Sequence, residues 1–243
     1  MARRYVIKQD SAPSAPISGI DYHATLNEEQ YAAVSSEPGA ALVIAGAGSG
    51  KTRTLTYRVA WLLDHGTAPW TILLLTFTNK AAREMTERVR ALIPIDLSRL
   101  WSGTFHSIAN RILRQHADYL GYTPAFTIID SDDRKSMIKS IVKALKLDEK
   151  SSRFPKPEVL SSLFSLADNE GAGIQETLEN AYPYLSNHLD AILDVHEQYV
   201  LRKQETNSMD FDDLLLNVVR LFQEQEHLRA LYGARFHHIL VDA

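Results

Sequence analysis

Three glycines in five residues, Gly46, Gly48 and Gly50, run directly into Lys51 and Thr52, and this junction restricts the fold more than any other part of the chain. Residues 40–45 before it are continuously apolar, as in a strand buried on both faces, and residues 54–63 after it follow a helical pattern. A strand that turns through glycines straight into a helix belongs to α/β architecture with a parallel sheet. The alternation repeats: residues 71–76 read TILLLT and the helical pattern Asn79–Leu92 follows. A last buried-strand run, HILVD, occupies residues 238–242.

Glycine at this junction has a chemical use. Without Cβ atoms, backbone N–H groups can close around phosphate oxygens, and the following helix presents its positive end to the same anion. The segment AGAGSGKT, residues 45–52, supplies such a loop through Gly46, Ala47, Gly48, Ser49 and Gly50. Lys51 is then placed to reach β and γ phosphates, and Thr52 offers a hydroxyl to Mg²⁺. The strict phosphate-loop pattern begins with glycine and here begins with Ala45, a departure that leaves the physics intact. Such a site also needs a carboxylate at the end of a neighbouring strand to hold the cation, and Asp242 closing HILVD is the candidate.

The rest of the chain divides by composition. Residues 1–20 are rich in Ser, Pro and Gly and read as a tail that is loose or ordered only on contact. Thr25 with Glu28 three residues later forms a capping-box pattern that opens a helix at Leu26 and ends it by Pro38-Gly39. From about 108 to 206 long helical patterns dominate (108–120, 133–145, 158–168 and 185–203), with 126–129 alone resembling strand. The expected organisation is a tail (1–20), an α/β domain in two pieces (21–107 and 207–243), and an inserted helical domain (108–206). With no cysteine in the chain, disulfides and thiolate metal sites are excluded. A net charge of −4 gives no basic footprint, so any nucleic-acid argument must come from local motifs. No apolar run approaches the roughly 20 residues that span a bilayer, and the chain reads as a cytoplasmic protein with no membrane partner.

Six segments then carry a resemblance. LNEEQ (26–30), AGAGSGKTRTLTYR (45–58), LTFTNKAAREMTERV (75–89), GTFHS (103–107), DFDDLL (210–215) and ILVD (239–242) stand in the order found in superfamily 1 DNA helicases of the UvrD, Rep and PcrA type. The resemblance runs from about Tyr22 to the last residue, and Ala45 is itself usual in that family. It implies a P-loop NTPase (RecA-like) parallel sheet with helices on both faces, plus a mostly α-helical inserted domain. It further implies ATP and Mg²⁺ as cofactors, with single-stranded DNA and single-strand/duplex junctions as partners.

Carried over by residue, Gln30 resembles the glutamine that reads the adenine edge, and Arg53 the arginine near the base. Lys51 and Asp242 carry the catalytic roles. Phe77, Thr78 and Asn79 match one motif that contacts single-stranded DNA, and Thr104, Phe105 and His106 match a second; an aromatic there stacks on a base. Taken singly, Phe77 and Phe105 would instead be read as core packing. Arg83, Arg88 and Arg90 are read as a solvated helix face, and Asp210, Asp212 and Asp213 as acids in a first helical turn. In the family the strand-end Asp is followed by a Glu that activates water, whereas Ala243 stands here. The expectation is therefore the N-terminal portion of a 3′ to 5′ helicase acting in repair or replication, ending inside its Walker B motif and without helicase activity alone. Alternatives are a non-catalytic nucleotide- or DNA-binding module, the helicase part of a RecB or AddA type nuclease complex, and a small-molecule P-loop kinase. The last would have no use for LTFTNKAA or GTFHS.

Overall fold

Five consecutive buried residues, Ile72–Thr76, can only be satisfied by a strand covered on both faces, and the first part of the chain is assembled around them. The computed structural model describes residues 18–46, 48–147 and 154–242. Contacts divide the chain into two units, one reaching Ile108 and resuming at Ala230, the other spanning Ala109–Arg229.

The first unit opens with α1 (Tyr22–Thr25), α2 (Glu28–Ser35) and α3 (Lys51–Asp64), followed by β1 (Ile72–Thr76), α4 (Asn79–Leu92), β2 (Trp101–Thr104) and the start of α5 (Phe105–His116). Strands β1 and β2 run parallel, with Leu73 opposite Trp101 and Thr76 opposite Thr104. Val59, Leu62 and Leu63 of α3 and Met85 and Val89 of α4 pack onto Ile72 and Leu74 of β1. Leu73 and Leu75 point the other way by strand alternation and are also buried. On β2, Trp101 meets Tyr232 and Phe236 edge-on, at centroid distances of 6.2 and 5.2 Å.

The second unit contains β3 (Thr127–Ile128), α6 (Ser131–Ala144), α7 (Pro157–Glu170), α8 (Ile174–Ala181), α9 (Leu189–Glu205), β4 (Ser208–Met209) and α10 (Phe211–Glu224). Its core joins Ile138, Ile141, Leu160, Leu163, Phe164, Leu178, Ile192, Val195 and Tyr199. Beside it lies a buried ionic cluster. Asp210 caps α10 in a reciprocal box with Asp213. The Lys203 ammonium lies 3.0 Å from Asp210 and 2.7 Å from Asp213, and Tyr199 donates to Asp210 at 2.7 Å. Burial alone would raise the Asp210 carboxyl, but Lys203 and Arg134 outweigh it and hold it down at about 2. The DFDDLL acids thus cap and anchor a helix.

The chain returns to the first unit through α11 (Glu226–Arg235) and ends in β5 (His238–Asp242), which pairs parallel with β1 from Ile72↔His238 to Thr76↔Asp242. The sheet order is therefore β2-β1-β5, an α/β parallel arrangement.

Three local expectations need correction. Residues 40–45 are not a strand. Leu42 and Ile44 are 86% and 87% exposed, because a groove of 560 Å³ lies between this segment and β5, leaving no strand edge within hydrogen-bonding reach. The capping box belongs to Asn27 and Gln30, and α2 begins at Glu28. Thr25 instead closes α1, its hydroxyl committed to the Asp21 carbonyl at 2.6 Å. The strand at 126–129 is shorter, Thr127–Ile128, and pairs with β4, which has no periodicity of its own to reveal it. Of the expected tail, residues 1–17 lie outside the described residues, while Ser18 is held by Asp64.

Candidate nucleotide site and nucleic-acid face

The phosphate loop is shaped by backbone conformations that side chains resist. Gly48 and Gly50 adopt φ of +78° and +90°, the left-handed region open to glycine. A Cβ on Gly50 would also lie 2.9 Å from the Gln30 amide nitrogen. Ser49 closes the turn by donating to the Gly46 carbonyl through both its N–H (3.3 Å) and its hydroxyl (2.7 Å). Helix α3 starts immediately at Lys51, so its unpaired N–H groups and positive end open at this loop. The Lys51 ammonium reaches back across the loop to the Ala45 carbonyl at 3.0 Å. Ala47 lies outside the described residues, as does Ala243.

Chain topology brings the carboxylate to the loop. Thr52 donates its hydroxyl to Asp242 at 3.3 Å, across 190 residues of sequence. Parallel pairing produces this meeting: β5 ends level with β1, so Asp242 sits at the carboxyl edge of the sheet, where ligands of open α/β sheets bind. The groove beside β5 is lined by Lys51, Thr54, Leu55 and Arg58 of α3 and by residues 237–242. On its wall burial, with Arg58 nearby, holds the His238 imidazole below its ordinary range.

The residues expected near a base are arranged by α1 and α2. Gln30 is held at both ends of its amide: its oxygen accepts from Asn27 N at 3.3 Å, and its nitrogen donates to the Ser49 carbonyl at 3.1 Å. Arg53 donates to the Thr25 carbonyl at 3.0 Å and lies 5.3 Å above the Tyr57 ring. Gln30, expected near a base, is therefore hydrogen-bonded to Ser49 of the glycine loop.

The other six expected residues fall at the ends of β1 and β2. Phe77 follows β1 and is 85% exposed, and Phe105 follows β2 and is exposed as well. Neither is buried, so the core-packing reading that each would receive taken singly fails for both. Thr78 caps α4 by accepting from Ala81 N at 3.1 Å, and exposed Asn79 begins that helix. Thr104 is buried and accepts from Ser107 N at 3.2 Å, which gives it a capping task; His106 is half-buried. The pairing Thr76↔Thr104 places both turns side by side on one edge. On α4, Arg88 pairs with Glu84 at 3.5 Å and Arg90 with Glu87, the interleaved charges of a solvated face.

Sequence reasoning missed Asn27, Tyr57 and Asp64. Asn27 carries a legible signal, the N-x-x-Q spacing to Gln30. Tyr57 and Asp64 acquire roles only through the helices packed against α3.

Comparison with known proteins gives the family. Residues 26–243 match a family model described as the UvrD/REP helicase N-terminal domain. The chain is 39% identical over 218 residues to the ATP-dependent DNA helicase PcrA of Staphylococcus aureus (strain NCTC 8325 / PS 47), covering 89% of this chain and 29% of that protein. The same figures hold for the protein of that name in Staphylococcus epidermidis (strain ATCC 12228 / FDA PCI 1200). The chain thus spans 29% of the length of the curated relatives it matches.

Proposed function

Since the chain belongs to the UvrD/REP helicase N-terminal domain family, we propose that it is the ATP-binding and single-stranded-DNA-contacting part of an ATP-dependent 3′ to 5′ DNA helicase. The observation that carries the nucleotide half is the meeting of Thr52 and Asp242 beside Lys51 at the mouth of a glycine loop. Thr52 and Asp242 offer oxygen donors alone, the ligand chemistry of a hard divalent cation, and they would hold Mg²⁺. The loop N–H groups and Lys51 take the β and γ phosphates, and Gln30 and Arg53 take the base.

The DNA half is supported by Phe77 and Phe105, two exposed aromatics on adjacent turns, flanked by Thr78, Asn79 and His106. An exposed aromatic is a stacking platform that accepts any base, and stacking contributes about 1–3 kcal/mol per base. The substrate includes single-strand/duplex junctions, and the setting is repair or replication in the cytoplasm. Among the described residues no helix is long and apolar enough to cross a membrane. By the family resemblance, a second motor lobe completes the ATP site.

Calorimetric titration tests the reading, with a non-hydrolysable Mg-ATP analogue and, separately, a short single-stranded oligonucleotide. Lys51→Ala should abolish the nucleotide heat and leave the oligonucleotide heat in place. Equal nucleotide binding by both proteins would remove the phosphate loop from the proposal, and loss of oligonucleotide heat in wild type would remove the DNA half.

A further inference from the structure

Asp64 ends α3 with its side chain shut off from solvent, at 0% exposure. A buried carboxylate is tolerated where hydrogen bonds replace its water, and three donors reach it from one short stretch. Ser18 donates from its backbone N–H and from its hydroxyl, both at 2.7 Å, and Tyr22 donates its phenol at 3.1 Å. Burial and then the Asp64 charge push the Tyr22 phenol well above its ordinary range, which keeps it a donor at every physiological pH.

The stretch thus captured leads into α1 and α2. The Tyr22 ring packs edge-on to Trp61 at 5.0 Å and to Tyr57 at 6.2 Å, both on α3. Leu26 N–H closes α1 onto the Tyr22 carbonyl at 3.0 Å, and Asn27 begins the cap of α2 at once. The α1–α2 arm is held along α3 at three places, the middle one being Arg58, which donates to the Val34 carbonyl at 2.6 Å. Near the loop it is tied by Gln30 to Ser49 and by Arg53 to the Thr25 carbonyl. At the other end it is tied by Asp64, eleven residues and about 16 Å further along the helix axis from Arg53. Arg58 holds the C-terminal end of α2, whereas Asp64 holds the segment entering α1, so the start of the arm is set from the far end of α3.

We propose that Asp64 is a positioning residue for base recognition, holding the α1–α2 arm so that Gln30 meets the nucleotide at a set angle to the phosphate loop. This rests on the nucleotide-site reading above. It adds that selectivity for the base is controlled from the end of α3 opposite the phosphates, by a residue that touches no ligand. Phosphate affinity, in contrast, depends on the loop and is independent of Asp64.

The test compares wild type, Asp64→Ala, the isosteric Asp64→Asn and Tyr22→Phe, titrated with Mg-ATP, Mg-GTP and Mg-tripolyphosphate. Asp64→Ala should weaken ATP about tenfold, the loss expected when about 1.4 kcal/mol of preorganisation is removed. ATP affinity should then approach that of GTP, with tripolyphosphate affinity unchanged; Asp64→Asn and Tyr22→Phe, which keep part of the network, should fall between. Hydrogen exchange read on the same proteins should quicken across residues 22–35 and stay constant in α4. Parallel loss of ATP and tripolyphosphate would make Asp64 a general structural residue and overturn the proposal, as would unaltered ATP affinity or unaltered exchange at 22–35. If wild type binds none of the three ligands, the nucleotide-site reading fails, and the exchange measurement still decides whether Asp64 holds the arm.

Discussion

The segment at residues 40–45, AALVIA, and strand β1, ILLLT, are both unbroken apolar runs leading through a turn into a helix. β1 is buried at every position, paired on both edges and covered by Leu62, Leu63 and Met85 on one face. The other run has Leu42 and Ile44 almost wholly exposed and forms no ladder. The two differ in surroundings far more than in composition. A strand is a property of a pair, because its backbone N–H and C=O groups need a second strand at about 4.8 Å. β1 has β2 and β5; residues 40–45 face a groove.

Amide hydrogen exchange should separate the two runs most widely. Amides of Leu73, Leu74 and Leu75 are expected to open only with global unfolding, on the order of 5 kcal/mol or more, and those of Leu42, Val43 and Ile44 to exchange with almost no protection. Equal protection would mean that residues 40–45 pair in solution and would dissolve the contrast. Next in size is a truncation pair followed by denaturant melts: Leu74→Ala should cost about 2–5 kcal/mol, whereas Ile44→Ala should stay within about 0.5 kcal/mol. A smaller effect belongs to the turn after β1, where Thr78→Ala removes the cap of α4 and should cost about 1 kcal/mol in the same melts. Smallest in stability is Val241→Lys on β5, expected to shift the melt by less than about 0.5 kcal/mol. That variant should nevertheless suppress concentration-dependent association in sedimentation velocity, since half-exposed Val241 and strongly exposed Ile239 sit on the strand that borders the groove. A wild-type chain that sediments as one species at all concentrations would show that this edge is harmless.

The glycine loop, β1, α4 and β5 were legible because each is encoded locally, by spacing or by an apolar run of the right length. So was the approach of Asp242 to Thr52, since a strand-end acid is sought beside such a loop. What failed was pairing information. The pattern of residues 40–45 states that a strand is affordable and says nothing of a neighbour. Ser208 and Met209 form β4 only because Thr127 and Ile128 lie beside them. The α2 cap was read two residues early because Thr25-x-x-Glu28 and Asn27-x-x-Gln30 satisfy the same rule. Only the fold shows that Thr25 spends its hydroxyl on the Asp21 carbonyl. Asp64 had no local signal, being one acid at the end of an amphipathic helix until Ser18 and Tyr22 are folded onto it.

Strand β1 has one neighbour ending at Asp242 and another ending at Thr104, both level with Thr76. The nucleotide side and the aromatic turns are therefore graduations on a single ruler. Sliding β5 along β1 by one residue, about 3.3 Å, would turn its side chains to the wrong face, and the next allowed step is twice that. The register therefore fixes how far Asp242 stands from the turns that carry Phe77 and Phe105.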